Sequence, residues 1–189
     1  MHFLVIFGPP AVGKMSVGEE IHRLTGIPVF HNHLSIEPVL RFFEFGTPPF
    51  RRLVDGFRRK LIDEIAHSDL PGVIFTFVWS FDHEGDREFL ADLCNTFEEV
   101  GADITFIELR ASLEERRRRN RTERRLAEKP SKRNLERSEE NLLNLEQYRM
   151  QSDGDFPFEY PHLVIDNTDR SAEEVATDII ETAGIPVVG

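Results

Sequence analysis

An apolar run, His2-Phe-Leu-Val-Ile-Phe7, passes directly into Gly8-Pro9-Pro10-Ala11-Val12-Gly13-Lys14-Met15-Ser16 and then into a stretch with helical spacing. No other feature of the chain limits its possible folds so severely. The β-branched and aromatic residues of the first run suit a buried strand, and Val17, Ile21 and Leu24 recur at helical spacing up to Gly26. The order is therefore strand, glycine loop, helix. Gly8 and Gly13 lie five residues apart with Lys14 next, which fits the phosphate-binding loop G-x-x-x-x-G-K-[ST] at every position but the last. Such a loop turns its backbone N–H groups inward around phosphate oxygens. The helix N-terminus adds partial positive charge, and a lysine at position 14 reaches the β and γ phosphates. Gly8 to Ser16 is thus expected to bind a nucleotide phosphate chain. The last position usually carries a hydroxyl that ligates Mg²⁺, but Met15 stands there and Ser16 comes one place later. One residue along a helix is a rotation of about 100°, so the two positions are not equivalent.

A chain of 189 residues with 40% hydrophobic residues and 16 Phe suits one globular domain over 1–189. No apolar run is long enough to span a membrane, and the N-terminus enters the first strand without a charged leader. The one cysteine, Cys94, excludes an internal disulfide framework and suits the reducing cytoplasm. A net charge of −11 argues against general affinity for nucleic acid or anionic membranes. Its distribution is uneven. Between Arg110 and Arg137 stand 12 of the 23 basic residues and 5 of the 34 acidic ones, so that segment carries +7 and the remainder −18. A local positive zone on an acidic chain points to a specific polyanion.

Further strands are expected at 27–30, 73–79, 104–109 and 163–166, each followed by a helix or loop, which predicts an α/β fold. Its expected form has three layers, with a five-stranded parallel sheet between helices and a basic helical lid over about 116–137. Ligands in such sheets bind beyond the C-terminal strand ends. His31 and His33 follow the second strand, where substrate contact, a metal site and a plain polar loop are all open readings. Asp82 follows the third strand, either as a carboxylate acting on Mg²⁺ or a substrate proton, or as a helix cap. Asn167 follows the fifth, on the ligand edge. Ser35 is expected to cap a helix over 36–45, and a second, amphipathic helix follows from Phe50 to Ile65. Ser112 should cap the helix that leads into the arginine-rich segment, and Cys94 falls on a core face.

The motif GPPAVGKM, the order of elements, FHNH after the second strand and RNRTE…KPSKR in the basic segment together resemble the P-loop small-molecule kinases. That group includes nucleoside monophosphate, shikimate and gluconate kinases and antibiotic phosphotransferases. Within it the chain looks most like AAA-type ATPases that carry GKM in the Walker A motif. The resemblance implies that Gly8, Gly13, Lys14 and the loop amides hold ATP phosphates. It also implies that Arg116, Arg119, Arg121 and Arg125 lie at the lid. Relatives place an Asp after the second strand to activate the acceptor hydroxyl; His31 and His33 stand there instead, leaving a histidine or Asp82 as base. ATP and Mg²⁺ are the expected cofactors, with Ser16 and Asp82 as the expected metal ligands. The expected function is transfer of the γ-phosphoryl to a small-molecule acceptor. The alternative is a module that binds a nucleotide or small ligand without turnover.

Overall fold

A computed structural model describes residues 1–123 and 130–188. Five parallel strands form one sheet in the order β2-β3-β1-β4-β5: β1 (His2–Phe7), β2 (Val29–His31), β3 (Gly72–Phe77), β4 (Asp103–Arg110) and β5 (His162–Asp166). The described helices are α1 (Lys14–Thr25), α2 (His33–Leu40), α3 (Pro48–Ala66), α4 (Glu84–Glu99), α5 (Leu113–Asn120), α6 (Leu135–Asn144) and α7 (Ala172–Ala183). Short 3₁₀ turns stand at Pro130–Lys132 and Leu145–Gln147. The expected three-layer α/β architecture is present. No helix among the described residues is long and apolar enough to cross a membrane.

The central strand explains why the sheet is covered on both sides. Phe3, Val5 and Phe7 alternate with Leu4 and Ile6, and all five are fully buried, as a strand between two layers requires. The first set joins Phe75, Phe77, Phe97, Phe106 and Trp79 in an aromatic core beneath α3 and α4. The second joins Val17, Ile21, Ile107, Val175 and Ile179 in an aliphatic core beneath α1 and α7. Cys94 is buried in the aromatic layer.

Several boundaries differ from expectation. The helix expected over 36–45 runs from His33 to Leu40 with Asn32 at its N-cap position. Ser35 lies inside it because its hydroxyl serves elsewhere, donating to the Asn32 carbonyl (2.9 Å) and accepting from Arg58 Nε (2.9 Å). The second strand includes His31, in register with Thr76 of β3. The third ends at Phe77, after which Trp79 leaves the sheet to stack on Phe81 with ring centroids 4.2 Å apart. Ser112 caps α5 as expected, accepting from the Glu115 amide (3.2 Å).

Glu108 is a fully buried carboxylate within β4. Its Oε1 accepts from Arg110 Nε (2.7 Å), the Ser152 amide lies 3.3 Å from both oxygens, and His162 Nε2 is 3.2 Å from Oε2. Burial alone would raise the carboxyl pKa; the His162, Ser152 and Arg110 contacts outweigh it and hold the group at about 2. An unfolded glutamate titrates near 4.3, so between these values the unfolded chain takes up a proton that the native one refuses. The stabilisation is therefore complete above about pH 5 and is lost as pH falls toward 2. Chemical denaturation of the wild type and Glu108→Gln should differ by about 2 kcal/mol at pH 7. The gap should narrow steadily below pH 4.5; a gap that widens on acidification would contradict this account.

Candidate functional site

The chain leaves β1 at Phe7 and turns through Gly8 (φ +136°), Ala11 (φ +62°) and Gly13 (φ +111°) before entering α1 at Lys14. A side chain at Gly8 would put its Cβ 2.3 Å from the Leu109 carbonyl oxygen, so the loop lies flush against β4. Lys14 folds back over the loop, its Nζ donating to the Gly8 (2.6 Å) and Pro9 (2.9 Å) carbonyls. This positions an ammonium at the centre of the loop, where the N-terminal end of α1 also directs its positive pole.

The loop is braced from outside. The Val12 carbonyl accepts from Arg119 Nη1 (2.8 Å) and from Asn167 Nδ2 (2.9 Å). Arg119 Nη2 also donates to the carbonyls of Asn167 (2.7 Å) and Thr168 (3.2 Å), and its Nε to Glu115 Oε1 (2.6 Å). Glu115 further accepts a two-pronged contact from Arg118, with both bonds at 2.6 Å. The Arg118 and Arg119 contacts hold the Glu115 carboxyl at about 2. Arg119 and Asn167 thus join α5, the loop after β5 and the glycine loop in one network.

Between these elements lies a cleft of about 420 Å³. Its walls carry the loop from Ala11 to Val17, Thr76 at the end of β3, and the cations Lys14, Arg118, Arg119 and Arg170. Among the described residues lining it there is no carboxylate. Arg170 is anchored by Asp178 Oδ2 (2.6 Å). The arrangement suits a polyanion of a few phosphate groups, with amides at one end and four cations around it.

Of the residues singled out in the sequence, Ala11, Val12, Gly13, Lys14, Met15, Ser16, Arg119 and Asn167 line this cleft. Pro9 borders a second cavity of about 230 Å³ with Arg116 and Arg149, and Pro10 is half-buried. Arg116 is buried and its guanidinium grips Glu146 with two bonds of 2.8 and 2.6 Å, so it faces α6 and the turn after it. Arg121 ends α5 with Nη2 3.6 Å from Glu139, which also pairs with Arg117. Arg125 lies outside the described residues. His31 is buried at the end of β2; His33 opens α2 with Nδ1 2.8 Å from Glu37 Oε1. Glu37 also accepts from the Ser131 hydroxyl (2.6 Å) and amide (3.3 Å), which ties α2 to the turn at Pro130–Lys132.

Asp82 is placed differently from expectation. It is exposed and spends Oδ2 on the Arg149 amide (2.7 Å), and it does not line the cleft. The backbone amide of a segment 67 residues away captures the carboxylate before it can face the phosphate loop. The expected metal arm fares similarly. Met15 is buried beside the loop, Ser16 is half-buried, and no group of three His, Cys, Asp or Glu among the described residues could hold a metal ion. Mg²⁺ demands hard oxygen ligands, usually with one or two carboxylates, and the cleft wall supplies only hydroxyl, amide and backbone oxygens. The donor set does not fit a metal ion held by the protein.

Arg170 lines the cleft, as its place on the ligand edge after the fifth strand suggests, whereas the sequence does not single out the buried charges Arg58 and Asp86. Arg58 is buried beneath α2, Nε on Ser35, its guanidinium near the rings of Phe75, Phe77 and Phe89 at about 6 Å. Burial lowers its pKa to about 10, against the pull of Asp55 and Asp86. Asp86 accepts from the Ser80 amide (3.0 Å), and burial raises its pKa. For Arg58 the sequence signal is a run of basic residues on α3, which reads more readily as a solvated face.

No protein family profile matches the chain, and no curated protein matches it in sequence. Solved structures do match in fold. Shikimate kinase from Acinetobacter baumannii, in complex with shikimate, is 19% identical, with 95% of this chain and 91% of that one covered and a TM-score of 0.61. APS kinase from Mycobacterium tuberculosis, in complex with AMPPNP and APS, is 15% identical over 95% of each chain, with a TM-score of 0.55. A tunicamycin resistance protein from Deinococcus radiodurans is 16% identical over 100% of this chain and 99% of that one, with a TM-score of 0.56.

Proposed function

From a chain with the P-loop small-molecule kinase fold, we propose an ATP-dependent phosphotransferase that moves the γ-phosphoryl group to a hydroxyl or phosphate of a small molecule. The observation that carries the reading is the cleft itself: a glycine loop, Lys14 and three arginines line one volume, and no described residue of that lining is a carboxylate. Phosphoryl transfer asks a protein mainly for positioning and charge neutralisation. Lys14 and the loop amides would hold the β and γ phosphates, and Arg118 and Arg170 would cover the outer oxygens. Arg119 and Asn167 would keep the loop in shape through Val12. The APS kinase neighbour is a precedent for an ATP analogue on this fold.

The acceptor would sit beyond β2 and β3, beside His31, His33 and Trp79, with Arg58 beneath. This ground adjoins the cleft, because the Asn32 amide donates to the Thr76 hydroxyl (3.3 Å) and Thr76 lines the cleft wall. His33 is the favoured base. Glu37, 2.8 Å from Nδ1, orients the ring beside the proposed acceptor ground. As the acceptor oxygen bonds to the γ-phosphorus, the bond to the bridging oxygen of ADP breaks and the acceptor proton passes to the His33 imidazole. ATP and a small molecule are the proposed ligands, in the cytoplasm, with neither nucleic acid nor membrane as partner.

Met15 and the placement of Asp82 favour a second reading, a module that grips a nucleotide or small ligand without turnover. The tunicamycin resistance protein shares the fold. Calorimetry with ATP, followed by a screen of sugars, nucleosides and antibiotics as acceptors, separates the readings. The transferase reading expects micromolar binding and ADP formed in step with a phosphorylated acceptor. Binding without ADP from any acceptor favours the module, and absence of binding defeats both.

A further inference from the structure

We infer that the cleft grips its nucleotide without ligating Mg²⁺, so that affinity for ATP is insensitive to the metal. The inference deepens the proposed function and rests on reading the cleft as a nucleoside triphosphate site.

Three independent placements lead to it. The residue after the loop lysine, in the first turn of α1, is Met15, buried against the loop with 8% of its surface exposed. A thioether is a soft, weak donor that Mg²⁺ does not take in exchange for water. The acidic candidate from the third strand, Asp82, is committed to the Arg149 amide and stands outside the cleft. Glu115, one turn before the lining Arg118 and Arg119, is saturated by them. What the wall does offer is Lys14, Arg118, Arg119 and Arg170. Two of these arginines share Glu115 and the third is anchored by Asp178, so their N–H groups are held in place toward the cleft, and no described lining residue is a carboxylate that could ligate the ion. The guanidiniums supply directional N–H donors to phosphate oxygens, doing by hydrogen bonding what the ion does elsewhere by coordination.

The test is nucleotide affinity, measured by calorimetry on the full chain in excess EDTA and in excess Mg²⁺. The two dissociation constants should agree within about threefold, with free ATP binding at least as tightly as the metal complex. Met15→Thr returns a hydroxyl to the position after the lysine, and in this variant Mg²⁺ should tighten ATP by tenfold or more. Tightening of tenfold or more by Mg²⁺ in the wild type, lost in Ser16→Ala, overturns the inference, because Ser16 then supplies the ligand. A Met15→Thr variant that stays indifferent to Mg²⁺ overturns the assignment to position 15. No binding under either condition is a different failure, since it removes the nucleotide site itself.

Discussion

Lys14→Ala is expected to weaken ATP binding by a factor of about 100 or more while leaving the fold in place. The ammonium sits at the centre of the loop, donating to the Gly8 and Pro9 carbonyls. Losing a charge-assisted contact to phosphate in a partly dry site costs about 3 kcal/mol, which corresponds to that factor. The buried Gly8 and Pro9 carbonyls lose this donor, so thermal stability should fall by a few degrees without loss of the fold. Lys14→Arg should not restore affinity, because a planar fork cannot occupy the place of a compact ammonium over two converging carbonyls. Calorimetry with ATP beside a thermal melt checks both halves. Undiminished affinity in Lys14→Ala would remove the phosphate loop from the proposed mechanism.

The second large effect is on stability. Gly8→Ala should destabilise the protein by about 3 kcal/mol or more, because the added Cβ meets the Leu109 carbonyl oxygen at 2.3 Å and the backbone is at φ +136°. Neither β1 nor β4 can yield, since both lie in the middle of the sheet between two cores. Gly101 is the matched control. It also has positive φ, but a Cβ there meets nothing within 4 Å, so Gly101→Ala should cost only about 1 kcal/mol. For a chain of this length the two variants should melt some 5 °C or more apart. Equal midpoints would mean that the loop is not seated on β4 as described.

These effects divide along the line between what was legible in the residues and what was not. The glycine loop announces itself locally, since strand, turn and helix are consecutive and each obeys its own periodicity. Apolar strands between two layers are equally plain, which is why all five were placed within a few residues. The failures concern partners remote in sequence. Asp82 has the right position for a metal or a substrate, and nothing nearby in the chain reveals that the Arg149 amide will claim it. Arg116 belongs to a run of arginines that reads as one positive surface, yet Glu146 takes its whole fork. Glu108 left one faint sign, a charge within an otherwise apolar strand, whose meaning required Arg110, Ser152 and His162. Arg58 left less, since its burial depends on the way α2 folds over α3.

The double brace on the Val12 carbonyl bears on how the chain matures. Its two donors lie 107 and 155 residues downstream, at Arg119 and Asn167. Synthesis from the N-terminus delivers the loop 155 residues ahead of the second brace. Until then the loop has its glycines and the start of its helix but neither outside support. The braced form of the loop is therefore complete only once the segment after β5 has emerged, and a fragment that stops short of β5 would carry the whole motif without its second brace.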